Sequence, residues 1–420
     1  MHSPPLPLLL LYAHLGSAAA AARYEGYSGW IPTGGGGDVG TLPNGTSVAD
    51  ALAACSASAL CFGVTYEGTA NATNGTVFLK NESAVDEFFP YAPSAWASWI
   101  RLRGPCDVVA GSSAACVAAY STTRVLFGEY DGPLYSVNRS SDGAVLEIGV
   151  AAGSPGVADA AAQDAFCAGA DCSIVRLWDQ SAQGNHLERA PFNRHKVQPG
   201  VDAAVNASSF PITLSGGWKA YGAYFTPGCG YRNYRNTTGV AVGNEPEVIY
   251  FVVDGTRSND LCCFDFGNAE ATVGDYGSGT MESVYFGSNT VWTRGFGEGP
   301  WLGADLENGI FFGANVSNPG NMPLHYPFIL GMLKGGTDGF ELKAADATQG
   351  KLMSMYAGPR PGGKGYQPMQ KQGGIILGIG GDNSDSAIGT FFEGIMTGDY
   401  TTDEQDAAMH RLVVSARYGA

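Results

Sequence analysis

Glycine at about one position in seven limits this chain more than any other feature: 61 of its 420 residues are Gly, roughly twice the usual share. A glycine inside a helix loses about 1 kcal/mol against alanine, so helical bundles and coiled coils are excluded. The chain also carries 20 Tyr, 20 Phe and 7 Trp and is only 15% charged, a composition that suits many short strands joined by turns. The length alone suggests two or three domains, although a single large β-sandwich absorbs much of it. Against 23 Lys+Arg stand 39 Asp+Glu, a net charge of −16. A basic, phosphate-binding surface is therefore excluded, and no nucleic-acid partner is expected.

Residues 6–15 are apolar and run into Gly16, Ser17 and the alanines 18–22, which offer small-x-small cleavage sites. Residues 1–22 thus read as a secretory signal peptide. Their lack of Lys and Arg, and the prolines Pro4, Pro5 and Pro7, leave a disordered leader as the alternative. No later stretch reaches about 18 uninterrupted apolar residues, so no membrane span is expected. Secretion is also the expectation from eight Asn-x-Ser/Thr acceptors, at Asn44, Asn71, Asn74, Asn81, Asn138, Asn206, Asn236 and Asn315, which would carry N-glycans on surface loops. Nine cysteines fall in close pairs, Cys55 with Cys61, Cys106 with Cys116, Cys167 with Cys172 and Cys262 with Cys263, leaving Cys229 over. None has C-x-x-C spacing, so no metal site is expected and short-loop disulfides are the better account.

Composition shifts near residue 104. In the front segment, residues 24–103, Val48, Ala51, Leu52 and Cys55 recur at helical spacing within 47–58, and strand-like runs follow at 62–66, 77–80 and 97–102. This order of helix, Cys-x5-Cys and strands resembles the small α+β PAN/apple-type modules that bind proteins or sugars. The alternative is an extension that only packs on the larger domain. Residues 104–420 show β-branched and aromatic runs at 211–214, 220–225, 247–253, 375–379 and 390–396, bounded by turn residues, an all-β sandwich pattern. One helix closes the chain: Thr402 and Gln405 form a capping box, and Ala408, Met409, Leu412, Val413 and Ala416 follow at helical spacing.

An acidic sandwich rich in aromatics suits carbohydrate, since aromatic plates stack on sugar faces while carboxylates and amides bind hydroxyls. Cleaving a glycosidic bond further requires two carboxyl groups flanking it. Two contexts stand out among the acids. In GPWLGADLENG, residues 299–309, Asp305 and Glu307 are two apart in an apolar strand and are expected on one face. In GIILGIGGDNS, residues 374–384, a strand runs into Gly380, Gly381 and Asp382, where backbone can approach a ligand. A salt-bridged strand and a turn aspartate are the plainer readings. Cys262 and Cys263 are adjacent; bonded to each other they would form a rigid sulfur plate for a sugar ring, while separate thiols or a bridge to Cys229 are the alternatives. Across a trans peptide their α-carbons would stand about 3.8 Å apart.

Specific runs now carry a resemblance: GPCD at 104, STTR at 121, DQS at 179 with GNHL at 184, CCFDFGNAE at 262, GPW at 299, GIILGIGGDNS at 374 and GTFFEG at 389. Residues 104–420 resemble the catalytic domain of the α-L-arabinofuranosidases of glycoside hydrolase family 54. The resemblance implies a concanavalin-like, jelly-roll β-sandwich and a retaining mechanism on terminal arabinofuranosyl groups, with no cofactor. It places the nucleophile at Glu307, sugar-hydroxyl contacts at Asp305 and Asn308, the acid/base at Asp382 and a backbone contact at Gly381. It makes Cys262 and Cys263 a vicinal disulfide, Trp292 a sugar-stacking plate, and Met281 and Glu282 a pocket wall. Disulfides Cys106–Cys116 and Cys167–Cys172 also fit it. Gly309 stands where fungal members have a second Asn, and Ile310 replaces a Leu at the wall. The chain ends at Ala420, where fungal members continue into an arabinose-binding trefoil.

The expectation is therefore a secreted, retaining, exo-acting α-L-arabinofuranosidase acting on arabinose-containing polysaccharides or oligosaccharides, with Glu307 ionised and Asp382 protonated at the start of the cycle. The alternative is a lectin-like surface protein that recognises arabinose without cleaving it.

Overall fold

The structure, a computed structural model, describes residues 22–32, 36–86, 94–191, 201–363 and 365–420. The expected signal peptide, residues 1–22, lies outside these apart from Ala22. The front segment is a small sheet with its own core. Its strands are β1 (Tyr24–Ser28), β2 (Asp38–Leu42), β3 (Gly63–Thr69), β4 (Ala72–Thr73), β5 (Val77–Lys80) and β6 (Trp96–Arg101), in the order β1-β6-β3-β5-β2 with β4 on β3. Helix α1 (Val48–Ser56) starts where Ser47 Oγ accepts the Asp50 N–H (3.1 Å) and turns Ala51 and Cys55 onto Val64, Tyr66, Val77 and Leu79. The Cys55–Cys61 disulfide ties its end to β3. A short helix, α2 (Glu82–Asp86), precedes β6. The module meets the larger domain through an Arg23 hydrogen bond to the Tyr130 carbonyl (2.8 Å), an Arg101–Glu129 ion pair, and Leu102, which packs on the sandwich core.

Two antiparallel sheets form the sandwich. One is built from β8 (Tyr135–Arg139), β9 (Val145–Ile148), β10 (Cys172–Leu177), β11 (Leu187–Arg189), β14 (Tyr231–Asn233), β16 (Asp265–Ala269), β17 (Glu282–Gly287), β18 (Trp301–Asp305), β19 (Ile310–Phe311) and β23 (Gly374–Leu377), in the order β19-β18-β17-β16-β23-β14-β11-β10-β8-β9. The other comprises β12 (Phe210–Leu214), β13 (Trp218–Phe225), β24 (Gly389–Thr397), β15 (Glu247–Val253), β20 (Ile329–Gly335), β21 (Phe340–Asp346) and β22 (Met353–Gly358), with β7 (Cys116–Ser121) also on β24. A helix not anticipated from sequence, α3 (Ala160–Phe166), lies against β9 and β13.

β15 shows how the layers are specified. Ile249, Phe251 and Val253 enter the core between the sheets, while Val248, Tyr250 and Val252 alternate onto the opposite face. That face is covered by α4 (Asp403–Ser415), capped by Thr402 and Gln405 as expected, whose Met409 and Val413 pack on it. A strand buried on both sides must be apolar throughout, as EVIYFVV nearly is. The disulfides Cys106–Cys116 and Cys167–Cys172 are formed, and Cys229 is free and buried. Among the described residues no helix is long and apolar enough to cross a membrane.

Candidate active site

The outer face of the ten-stranded sheet gathers the candidate site residues, and strand alternation decides what reaches it. On β16, Phe266 and Asn268 point between the sheets, so Asp265 and Ala269 point outward; on β18, Leu302 and Ala304 point inward and Asp305 outward. Met281 shares an outward cluster with Ala269, Ile376 and Ile379. Glu282, its neighbour, must therefore face inward. There it accepts from Arg360 (2.9 Å) and Lys371 (2.9 Å), fully buried, and Lys371 also pairs with Glu247 (2.8 Å). Glu282 is thus an ion-pair anchor behind the sheet and not the pocket wall expected for it; Met281 alone of that pair faces the site.

Asp305 and Glu307 come together, but by a turn and not by strand period. β18 ends at Asp305, and Glu307 and Asn308 both take left-handed backbone angles, φ 59° and 57°. The turn is closed by the Glu307 N–H donating to Asp305 Oδ1 (3.1 Å) and the Leu306 N–H to the Gly309 carbonyl (3.1 Å). Tyr366 Oη donates to the Asn308 carbonyl (3.0 Å), and Asn308 Nδ2 to Asp275 (3.2 Å). A side chain at Gly309 would enter the Phe311 ring, which packs edge-on against Tyr366. The missing Asn at 309 therefore goes with the position of Phe311.

Across from this turn, the chain leaving β23 brings Gly380, Gly381 and Asp382 over the sheet. The Ser384 N–H donates to Asp382 Oδ1 (2.8 Å) and the Asn383 N–H to the Gly380 carbonyl (2.9 Å), so Asp382 stands in a turn, as its plainer reading had it. Gly381 lies directly on Glu307, Glu270 and the Met281 sulfur: a Cβ there would overlap all three. Arg232, on β14, clamps this loop to the end of β16. Its Nη1 donates to the Gly381 carbonyl (2.5 Å) and Asn383 Oδ1 (2.6 Å), its Nη2 to the carbonyls of Glu270 (2.7 Å) and Thr272 (2.8 Å).

Cys262 and Cys263 are disulfide-bonded to each other; the peptide joining them is cis with α-carbons 3.0 Å apart, not the trans bond expected. Cys263 Sγ lies 3.5 Å from Asp305 Oδ2, and Cys262 Sγ 3.6 Å from Ser384 Oγ, so the sulfurs bridge the two carboxylate-bearing turns. Cys263 packs on Ile310, Tyr285 and Trp301. Trp292 is 38% exposed, next to Thr293, whose hydroxyl binds the Ile310 carbonyl (2.9 Å). Trp292 is thus not a core residue, and its neighbour Thr293 ties this stretch of chain to the start of β19.

Five carboxyls now crowd one face: Asp265, Glu270, Asp305, Glu307 and Asp382. Burial, then the charges of Glu270 and Asp305, push Glu307 up to about 10, and burial with the charges of Glu270 and Asp382 lifts Asp305 to about 7. Asp265, fully buried with no N–H or hydroxyl partner among the described residues, is raised well above the carboxylate range by burial and Asp305. Glu270 is raised by burial. Arg232 is lowered to about 10 by its own burial, against the pull of Glu270, Glu307 and Asp382. Burial and the neighbouring charges thus favour a proton on Glu307, against the ionised form expected of it. Sequence reasoning passed over Asp265, Glu270 and Arg232, although CCFDFGNAE contains two of them; the signal available was Asp265 on the parity opposite to Phe266.

Comparison with known proteins places this site in a family. Residues 105–419 match the family described as "Alpha-L-arabinofuranosidase B, catalytic". A probable alpha-L-arabinofuranosidase B of Aspergillus fumigatus is 48% identical over 322 residues, 76% of this chain and 63% of that protein. A Trichoderma koningii protein named arabinofuranosidase/B-xylosidase is 48% identical over 326 residues, 77% of this chain and 64% of its own length. The chain thus spans slightly under two thirds of these relatives. A crystal structure of an arabinofuranosidase complexed with arabinofuranosyl-α-1,2-xylobiose superposes with a TM-score of 0.73 at 45% identity, over 76% of this chain and 66% of that one. With most of its length matched and the sandwich shared, the chain belongs to the α-L-arabinofuranosidase B catalytic family, glycoside hydrolase family 54.

Proposed function

We propose that this protein is a secreted, retaining, exo-acting α-L-arabinofuranosidase that removes terminal arabinofuranosyl groups from arabinose-containing polysaccharides. The observation that carries the reading is the seating of Gly381 on the Glu307 carboxyl, one residue from Asp382 and beside the Cys262–Cys263 plate. Glu307 attacks the anomeric carbon while Asp382 protonates the departing oxygen; Asp382 then takes a proton from the water that releases arabinose. Asp305 and Asn308 bind sugar hydroxyls, and the disulfide and Trp292 flank the ring. The front module is assigned a partner- or polymer-binding role in the manner of PAN/apple modules.

The two carboxylates are expected to fail differently. Glu307→Gln abolishes turnover on every substrate. Asp382→Asn retains the first step on an aryl arabinofuranoside with an acidic phenol, shows a phenol burst, and is accelerated by azide to an arabinosyl azide of retained configuration; on arabinoxylan it is nearly inactive. Equal loss on both substrates with no azide product overturns the roles. Because one relative's name joins two activities, an aryl β-xylopyranoside belongs in the same assay.

A further inference from the structure

The attack just described, on which this inference rests, requires Glu307 as its carboxylate, yet burial and the neighbouring carboxyls favour a proton on it. Glu270 supplies the missing element. Its side chain is fully buried just past the end of β16; Oε1 accepts from Thr280 Oγ (2.7 Å), and among the described residues no N–H or hydroxyl reaches Oε2. That oxygen instead faces Glu307 Oε2, both standing where a Cβ on Gly381 would fall, so the two carboxyls are close neighbours across the Gly381 backbone. Two buried carboxyls this close repel when both are ionised, and a single proton between them relieves that repulsion. Arg232 Nη2 stands 4.0 Å from Glu270 Oε2 while its hydrogen bonds go to backbone carbonyls and Asn383, so it offsets charge without replacing that proton.

We propose that Glu270 is the positioning residue of the nucleophile, sharing a single proton with Glu307 and holding that proton while Glu307 attacks. In the free enzyme the pair carries one proton and one negative charge. As positive charge grows at the anomeric carbon, the proton settles on Glu270 and the negative charge on Glu307, whose oxygen bonds to that carbon as the carbon–oxygen bond to the leaving group breaks. The proton of Asp382 goes to the leaving oxygen, and protonated Glu270 donates to the new ester. When water displaces the ester, Asp382 takes the water's proton and Glu307 regains its share of the Glu270 proton. The pair neither gains nor loses a proton over the cycle, and two adjacent ionised carboxylates never coexist.

The test compares Glu270→Gln, Glu270→Ala and Glu307→Gln in the full chain, on an aryl arabinofuranoside and by infrared difference spectroscopy at neutral pH. Removing the proposed donor to Glu307 in Glu270→Ala is expected to lower kcat by about 100-fold or more with KM little moved. Glu270→Gln always presents an N–H to Glu307 and is expected to recover about tenfold or more of that loss, by the same stabilisation. Its spectrum should lose one protonated-carboxyl band, because Glu307 ionises once its charged partner is neutral. Wild-type kcat in Glu270→Ala, equal kcat in the two variants, or an unchanged band in Glu270→Gln overturns the proposal. Should the Glu270 variants fail to fold, the wild-type minus Glu307→Gln spectrum decides: one protonated carboxyl must vanish, and its persistence is equally fatal. Turnover by Glu307→Gln would instead defeat the assignment of the nucleophile itself.

Discussion

An alanine at position 381 would place its methyl where the Glu307 and Glu270 carboxyls and the Met281 sulfur already stand. Gly381 itself has no left-handed backbone angle, so its glycine is required by the close approach and not by conformation. Gly381→Ala is therefore expected to fold with a stability loss of about 1–3 kcal/mol from overpacking but to lose about 100-fold in kcat/KM, the scale of a 1 Å displacement of a reacting group. Kinetics on an aryl arabinofuranoside and thermal unfolding check both halves; wild-type kcat/KM would show that the pocket tolerates the methyl. The two glycines before Asp382 were legible because such a run marks backbone approach. Glu270 was not, because nothing in AEATVG says that its oxygen meets another acid from 37 positions further on; only the fold brings those residues together.

At the level of single elements, strand period proved informative where it was applied strictly. Adjacent residues of a strand cannot line one wall, which separates Met281 from Glu282 and could have been argued from sequence alone. Asp305 and Glu307 were read by the same rule, yet they meet because the strand stops and the chain turns through two left-handed residues. Strands bounded by clear turn residues, β5 and β15, appeared with the expected ends, while α3, seven residues with a short apolar pattern, carried too little signal. Behind the site, Lys371 joins Glu247 and Glu282 from the two facing sheets, with Arg360 also on Glu282. Lys371→Met would leave two buried carboxylates short of a cation. A loss of about 3–5 kcal/mol is expected, read from denaturant unfolding, and Lys371→Met combined with Glu247→Gln should recover part of it. A single variant as stable as wild type would mean that the cluster relaxes or takes up protons.

Across the whole molecule, these acids set how stability depends on pH. Asp107, Asp179, Asp265, Glu270 and Glu307 are all raised by burial, as are Glu247 and Asp305, each to about 7. A carboxyl raised in the fold binds its proton more tightly there than in the unfolded chain. Its contribution is fully present below the unfolded value and is lost as pH rises through the folded one, with a slope of up to about 1.4 kcal/mol per pH unit for each proton. The net charge of −16 adds repulsion in the same direction. His186 and His410, lowered by burial, act oppositely up to their ordinary value near 6.5, and Glu282, held low by Lys371 and Arg360, opposes only near and below its unfolded 4.5. Seven raised carboxyls outweigh two histidines, so the melting temperature is expected to fall between pH 4.5 and 7.5. Asp265→Asn removes one contributor while leaving an amide that can donate to Asp305. The variant should lose less stability over that interval than wild type and melt higher than it at pH 7.5. A wild-type melting temperature that rises across the interval, or an Asp265→Asn variant with an unaltered slope, would show that these carboxyls titrate alike folded and unfolded.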